Sequence, residues 1–210
     1  MSALPPDPFP EITRFPIKAG TELHRIHDRA YACDSFNPGK GRPTRFAPLV
    51  RPDGSHVPTA YSASTLECAV HETVFHEVQH DAPRKTIRFS ALEPLAYARI
   101  AVTRDIALAA LFEPDLNAWG LHRSDLIDTM ATEYERTAKW AVAIHDRWED
   151  VAGLIWTSKR CDPSTAFVLF GDRLKPDDLM PLEQREVTSD DDLLLKIRDF
   201  GARAGITITL

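Results

Sequence analysis

The chain has the length and composition of one ordinary globular domain, with room for a short appendage. It has 210 residues, of which 43% are hydrophobic and 27% charged, values that exclude a disordered or fibrous protein. Its net charge of −6 argues against nucleic acid as the main partner, because proteins that neutralise phosphates carry a basic surface. The composition therefore predicts a folded protein with no direct nucleic-acid partner.

Signals for membrane insertion or export are missing from the sequence pattern. The longest apolar run, residues 106–112, is far shorter than the ~20 residues of a membrane-spanning helix. The first residues lack the basic start and apolar stretch of a secretory signal. Three widely spaced cysteines, Cys33, Cys68 and Cys161, are typical of reduced thiols. These features predict a cytoplasmic protein that does not bind membranes.

Prolines are concentrated in the first third of the chain, where 10 of the 16 lie within residues 1–58. Because proline lacks an amide donor and fixes φ, this part is predicted to form short strands and loops rather than long helices. Its glycine and proline content predicts a loop at residues 37–45. We expect residues 1–19 to be a proline-rich N-terminal segment that precedes a domain over residues 20–210.

A helix is predicted to follow a short strand at residues 59–62. Ser64 and Glu67 match the capping box, in which each side chain bonds a free backbone amide of the other residue. Pro83 marks the end of the helical pattern. Apolar residues recur at helical spacing along one face: Leu66, Val70, Val74 and Val78. A second row on another face of the same helix includes Glu72.

The rest of the chain mixes strands and helices, without a repeat or a long linker. Further strands are predicted at residues 22–27, 86–89, 96–102, 153–156, 166–170 and 206–210. A short helix is predicted at residues 105–111, and apolar spacing predicts a long helix at 124–148. The pattern as a whole predicts one α+β domain.

Residues 76–80 read HEVQH and match the HExxH pattern of zinc metalloproteases. In that pattern two histidines one helical turn apart bind zinc, and the glutamate activates a bound water. A third protein ligand is needed, but the extended pattern has Gly and His where this chain has Pro83 and Thr86, and Glu93 is only a distant candidate. The simpler interpretation is a polar helix end, where the dipole favours histidine. Zinc hydrolysis is kept as the alternative function.

Four separated pieces of the sequence resemble the RES-domain family, toxins of type II toxin–antitoxin modules paired with Xre-like antitoxins. The pieces are LHRI at 23–26, GRPTRF at 41–46, AYSAS at 60–64 with Glu72 on the next helix, and GLIWTS at 153–158. The resemblance spans residues 20–172. It implies a single ADP-ribosyltransferase-like domain with small split β-sheets flanked by helices. It also implies NAD⁺ as substrate, no metal, and a cognate antitoxin that occludes the pocket.

The chemistry of NAD⁺ gives Glu72 the role that the resemblance implies. The pyridinium leaving group is already cationic, so its departure needs no general acid, and positive charge develops at the anomeric carbon. A carboxylate beside that carbon stabilises the charge. Without the resemblance, Glu72 would be interpreted as an exposed helix residue.

Four other residues complete the expected site. Arg25 and Arg45 would bind the diphosphate, because a guanidinium group makes bidentate contacts. Tyr61 would stack on nicotinamide or ribose, and Ser158 would donate a hydrogen bond to the substrate. The expected catalytic residues are thus Glu72, Tyr61 and Arg25. The expected NAD⁺-binding residues are Arg45, Ser158 and Tyr61.

The resemblance also implies the reaction, in which the nicotinamide–ribose bond of NAD⁺ breaks and ADP-ribose is transferred. The acceptor stays open among a protein side chain, water and phosphate, with a slight preference for protein. Trp156 stands where relatives are expected to have tyrosine, which leaves this wall of the pocket undefined.

Overall fold

The computed structural model describes residues 4–79 and 82–210, which fold around one large β-sheet. The eight strands of this sheet are β1 Arg14–Ile17, β2 Glu22–Asp28, β5 Thr59–Ala63, β7 Leu95–Val102, β8 Ile106–Ala110, β9 Val151–Thr157, β10 Thr165–Phe170 and β11 Leu179–Glu186. They lie in the order β1-β8-β9-β10-β5-β2-β7-β11. Two further pairs lie outside it: β3 Leu49–Val50 with β4 His56–Val57, and β6 Lys85–Arg88 with β12 Ile206–Thr209.

Helices cover the sheet and bury its apolar side chains. The α-helices in the described part of the chain are α1 Leu66–Thr73, α2 Glu113–Ala118, α3 Arg123–Leu126, α4 Tyr134–Arg147 and α5 Asp191–Arg203. Helix α1 packs on β2, β5 and β10, and α5 packs on α1, so α1 is held between the sheet and a second helix. Helix α4 packs on β9, where Trp140 and Trp156 share one core. Within the described ranges, none of these helices has the length and apolar character needed to cross a bilayer.

The sheet is divided where β2 meets β5. These two strands share one register pair, His24 with Ala63, whereas β2 pairs with β7 from Glu22 to Asp28. Strands that diverge cannot continue a hydrogen-bonded ladder, so their side chains line a gap instead. The predicted α+β class is confirmed, and the split lies inside one eight-stranded sheet.

The predicted helix at residues 105–111 is wrong, because this segment forms strand β8. The strand lies between β1 and β9, and its side chains at Leu108 and Ala109 have no exposed surface. A short apolar run fits a strand buried on both faces as well as a buried helix, and its periodicity does not distinguish them. The parallel pairing of β8 with β9 accounts for the continuous apolar pattern.

The predicted long helix at residues 124–148 is also wrong, because it is interrupted between α3 and α4. Asp128 lies in the gap, and its backbone carbonyl accepts a hydrogen bond from Lys159 Nζ (2.8 Å) instead of from a helical amide. Its carboxylate accepts from Arg123 Nη2 (3.1 Å). Side-chain partners, one of them 31 positions away in the chain, therefore replace the helical bonds here.

Residues 4–19 of the predicted N-terminal segment pack on the predicted domain over residues 20–210. Strand β1 pairs with β8 along its whole length. Phe9 packs edge-on against Trp119, Trp140 and Trp148, with ring centroids 5.3–5.5 Å apart. These contacts pack the N-terminal segment on the sheet and on α4. Strands β1 and β11 and helix α5 have no counterpart in the sequence prediction.

Buried histidines predict that the fold loses stability in mild acid. Burial lowers the pKa of His24, His27 and His71 below the ordinary value of 6.5. Below that value the unfolded chain binds more protons than the folded chain, so the free energy of unfolding falls as pH falls. We expect the melting temperature to drop between pH 7.5 and 5.5. Thermal unfolding should show a shallower drop in His27→Gln and His71→Gln, and equal slopes in wild type and both variants would contradict this explanation.

Candidate active site

Helix α1 carries the central residue of the site, and its start is tied to the sheet. The N-cap is Thr65, whose side chain accepts the amide three residues further on, and not Ser64 as predicted. Ser64 instead accepts the backbone amide of Thr165 from β10 (3.0 Å), because the helix begins one residue later than the capping-box pattern suggests. The position of Glu72 is therefore fixed relative to β10.

Glu72 is largely buried and lies close to one hydroxyl group and one guanidinium group. Its side chain is 14% exposed. Its Oε1 accepts a hydrogen bond from Ser158 Oγ (2.5 Å), and its Oε2 lies 4.0 Å from Nη1 of Arg45. The carboxylate is thus oriented by one neighbour and faces a positive charge from another.

Ser158 orients the Glu72 carboxylate through the hydrogen bond that its hydroxyl group donates. It directly follows β9 and is 1% exposed. Its Oγ accepts the backbone amides of Arg160 and Cys161, both at 3.0 Å, so its proton is directed to the carboxylate. The expected direct contact between Ser158 and substrate stays a prediction, because Ser158 is absent from the lining of the cavity described below.

Arg45 is a buried arginine with unused hydrogen-bonding capacity. It is 6% exposed, and its Nε is buried without a hydrogen-bond partner among the described residues. Thr137 Oγ1 donates to its backbone carbonyl, and the next residue, Phe46, is completely buried. The loop is therefore anchored on both sides of Arg45, which lines the cavity described below.

Tyr61 holds the same loop through its hydroxyl group. The oxygen accepts the amide of Phe46 (3.0 Å) and bonds Thr44 Oγ1 (2.9 Å). Burial raises the pKa of Tyr61 to about 12. The ring lies edge-on to Trp156, which is fully buried. Tyr61 thus supplies an aromatic wall and keeps its proton at neutral pH.

One nitrogen of the Arg25 guanidinium group is held by backbone carbonyls. Its Nη1 donates to the carbonyl oxygens of Cys33 and Ser35, both at 2.7 Å. Carbonyl groups accept hydrogen bonds without adding a charge, and burial lowers the pKa of this guanidinium. Its Nη2 has no hydrogen-bond partner in the described part of the chain, so it can still donate to a ligand.

Two adjoining cavities open at the gap between β2 and β5. The catalytic cavity, about 290 Å³, is lined by Glu72, Arg25, Arg45 and Tyr61 among others. The loop cavity, about 480 Å³, extends toward Lys40 in the predicted loop at 37–45. Four residues line both cavities: Arg25, Ile26, Thr44 and Tyr61. Cavities of ~300–1,000 Å³ are typical of small-molecule sites. Because the two cavities adjoin and charged side chains line them, together they suit a long, charged ligand.

Sequence reasoning missed two cations that interact with Glu72, namely Lys159 and Arg160. Burial lowers the pKa of Lys159 and of Arg160, and attraction to Glu72 opposes that shift in both. Arg160 Nη1 also donates to the carbonyl of Val78 (2.9 Å). Their position directly after Ser158 was the one available signal, and it was too weak to interpret without the fold.

Residues 76–79 of the HEVQH motif do not lie on a helix, so the predicted helix ends earlier than expected. Helix α1 ends at Thr73, where the amide of Phe75 bonds back to Val70 (3.2 Å) and the Phe75 side chain enters the core. His76 therefore lies beyond the helix end, and position 80 lies outside the described residues. No three His, Cys, Asp or Glu side chains are grouped to hold a metal ion within residues 4–79 and 82–210.

Comparisons with known proteins identify the class of domain that carries this cleft. Residues 22–190 match the family model of the RES domain, so the chain belongs to the RES domain family. The fold resembles a chain in the crystal structure of the M. tuberculosis MbcT–MbcA toxin–antitoxin complex, with a TM-score of 0.60 and 16% identity over 88% of this chain and 92% of that one. No curated protein sequence matches the chain. The family inferred from the four sequence pieces is confirmed.

Proposed function

We propose that this protein is a toxin that breaks the nicotinamide–ribose bond of NAD⁺ and transfers ADP-ribose to an acceptor. One observation carries the proposal: the carboxylate of Glu72 and the guanidinium groups of Arg25 and Arg45 line one cavity. A carboxylate suits the positive charge of a breaking glycosidic bond, and the two guanidinium groups suit a diphosphate. Membership of the RES domain family supports the same substrate.

The proposed bond cleavage uses Glu72 as an electrostatic stabiliser. The bonding electron pair leaves with nicotinamide, which becomes neutral, and positive charge develops at the anomeric carbon. Glu72 faces that charge from a largely buried position, where electrostatic attraction is stronger than in water. The Ser158 hydroxyl keeps the carboxylate oriented before the reaction begins.

Substrate binding is proposed to span both cavities. The nicotinamide ribose would occupy the catalytic cavity, with the Tyr61 ring as its aromatic wall, and the remainder would extend into the loop cavity. Arg25 lines both cavities and Arg45 lines the catalytic one, so their guanidinium groups would bind the diphosphate between them. The amides of Gly39 and Lys40 bond Asn37 Oδ1 and are thus unsuited to that role.

We further propose that the toxin acts in the cytoplasm and that a cognate Xre-like antitoxin covers the cleft. The similar fold in a toxin–antitoxin complex supports an antitoxin partner. The net charge of −6 favours a partner with a basic segment, although charge alone names no protein. The favoured acceptor is a protein side chain, and transfer to water or phosphate is the alternative outcome of the test.

The proposed activity predicts that the purified protein releases nicotinamide from NAD⁺. Chromatography would follow nicotinamide, and mass spectrometry would distinguish ADP-ribose, ADP-ribose 1-phosphate and a protein adduct of ADP-ribose. Release should persist in the presence of a chelator, whereas chelator-sensitive hydrolysis would favour the zinc alternative. An absence of release with water, phosphate and cell extract as acceptors would reject the proposed function.

A further inference from the structure

The wall of the catalytic cavity beyond the end of α1 contains a histidine that the proposed bond cleavage does not use. His76 lines this cavity together with Glu72 and Arg45, and its side chain is 26% exposed. The turn after the helix, closed by the amide of Val78 and the carbonyl of Phe75 (3.1 Å), places it there. An imidazole in contact with both cavity and solvent is suited to proton transfer.

The neighbours of His76 determine which ring nitrogen carries the proton. Nδ1 lies 2.9 Å from Oε1 of Glu77, and an ionised carboxylate accepts but does not donate, so Nδ1 carries the hydrogen of the neutral ring. Nε2 lies 3.3 Å from the hydroxyl of Tyr134. A contact of this length is weak for a hydroxyl donor, so an acceptor hydroxyl can displace Tyr134 from the lone pair of Nε2. Nε2 presents a lone pair, as a general base must.

We propose that His76 is the general base that removes the proton of the acceptor, an inference that rests on the proposed function. The acceptor oxygen forms a bond to the anomeric carbon, and the bond to nicotinamide breaks with its electron pair leaving on the ring nitrogen. The acceptor's proton moves to Nε2 of His76 and then to solvent. Glu72 stabilises the sugar cation and Glu77 holds the imidazole, so each carboxylate has a separate role.

This role defines the acceptor as a neutral hydroxyl group, either water or a hydroxyl side chain. A neutral oxygen that attacks carbon becomes cationic unless it loses its proton, so it benefits from a base in contact. An anion such as azide carries no proton and gains nothing from the base. His76 and Glu77 of the HEVQH sequence are thereby interpreted as a base and its orienting carboxylate.

The test compares His76→Ala with wild type in two solutions, with and without sodium azide. With water as acceptor, nicotinamide release in the variant should be about 10²-fold slower, because the base is missing. Azide should restore release in the variant and yield ADP-ribosyl azide, identified by its mass. His122→Ala is the matched control, because that histidine is exposed and absent from the lining of both cavities; it should behave as wild type.

Each outcome separates this inference from the proposed function. If wild type itself releases no nicotinamide, the proposed function fails before the variants are compared. If wild type is active and His76→Ala keeps its rate in water, His76 is not the base. If the variant binds ADP-ribose normally but azide does not restore release, His76 has a structural role and the inference is overturned.

Discussion

Replacement of Glu72 by glutamine is expected to reduce kcat for nicotinamide release by about 10²–10³-fold, the usual effect of removing one group that stabilises transition-state charge. Glutamine has the same shape, and its carbonyl oxygen can still accept the hydrogen bond from Ser158. The substitution therefore removes the negative charge while retaining the local contacts. Steady-state kinetics of NAD⁺ cleavage would measure the effect, with KM expected to change little.

The matched control for this experiment is Glu67→Gln on the same helix. The Glu67 carboxylate accepts a hydrogen bond from Arg203 (2.8 Å) and does not line the catalytic cavity. This control should retain wild-type kcat. Ser158→Ala should lie between wild type and Glu72→Gln, since the charge remains but loses its orienting bond. A Glu72→Gln enzyme with wild-type kcat would remove the basis of the proposed mechanism.

Replacement of Arg45 by lysine is expected to weaken NAD⁺ binding, with KM raised about 10–100-fold. Hydrogen bonds to charged groups are worth ~1.5–3 kcal/mol, and lysine cannot reproduce the two-pronged contact of guanidinium with a diphosphate. The variant keeps a positive charge near Glu72, so its folding should be preserved. Titration calorimetry with ADP-ribose would measure the lost affinity without requiring turnover.

Arg29→Lys provides the comparison for Arg45→Lys. Arg29 is exposed, pairs with Glu186 at 2.9 Å, and lines neither cavity. Its replacement should leave ADP-ribose affinity unchanged. Equal affinities in Arg45→Lys and wild type would show that the diphosphate is bound elsewhere in the cleft.

The sequence pattern located the strands that carry the site better than it located the helices. The predicted strands at 22–27, 59–62 and 153–156 coincide closely with β2, β5 and β9. Alternation and turn residues act over a few neighbouring positions, so they can be recognised locally. The segment 105–111 was misassigned because a strand covered on both faces loses its alternation.

The site residues show the same division between local and distant information. Their identities followed from the resemblance, and the structure brings Glu72, Arg25, Arg45 and Tyr61 to one cavity. The hydrogen-bond partners of these residues did not follow from the sequence. The carbonyl groups that hold Arg25, and the loop contacts of Tyr61, depend on how separate segments pack.

By itself the sequence determined an α+β domain of the RES family, its main strands and the residue types of the proposed site. Only the tertiary structure decided that Ser158 donates a hydrogen bond to Glu72 and that the sheet splits between β2 and β5. It also decided that His76, which follows the end of α1, lines the cavity. The reason is sequence separation. Periodicity and capping involve residues within a few positions of one another, whereas Glu72 and Ser158 are 86 positions apart and meet only when the core has packed.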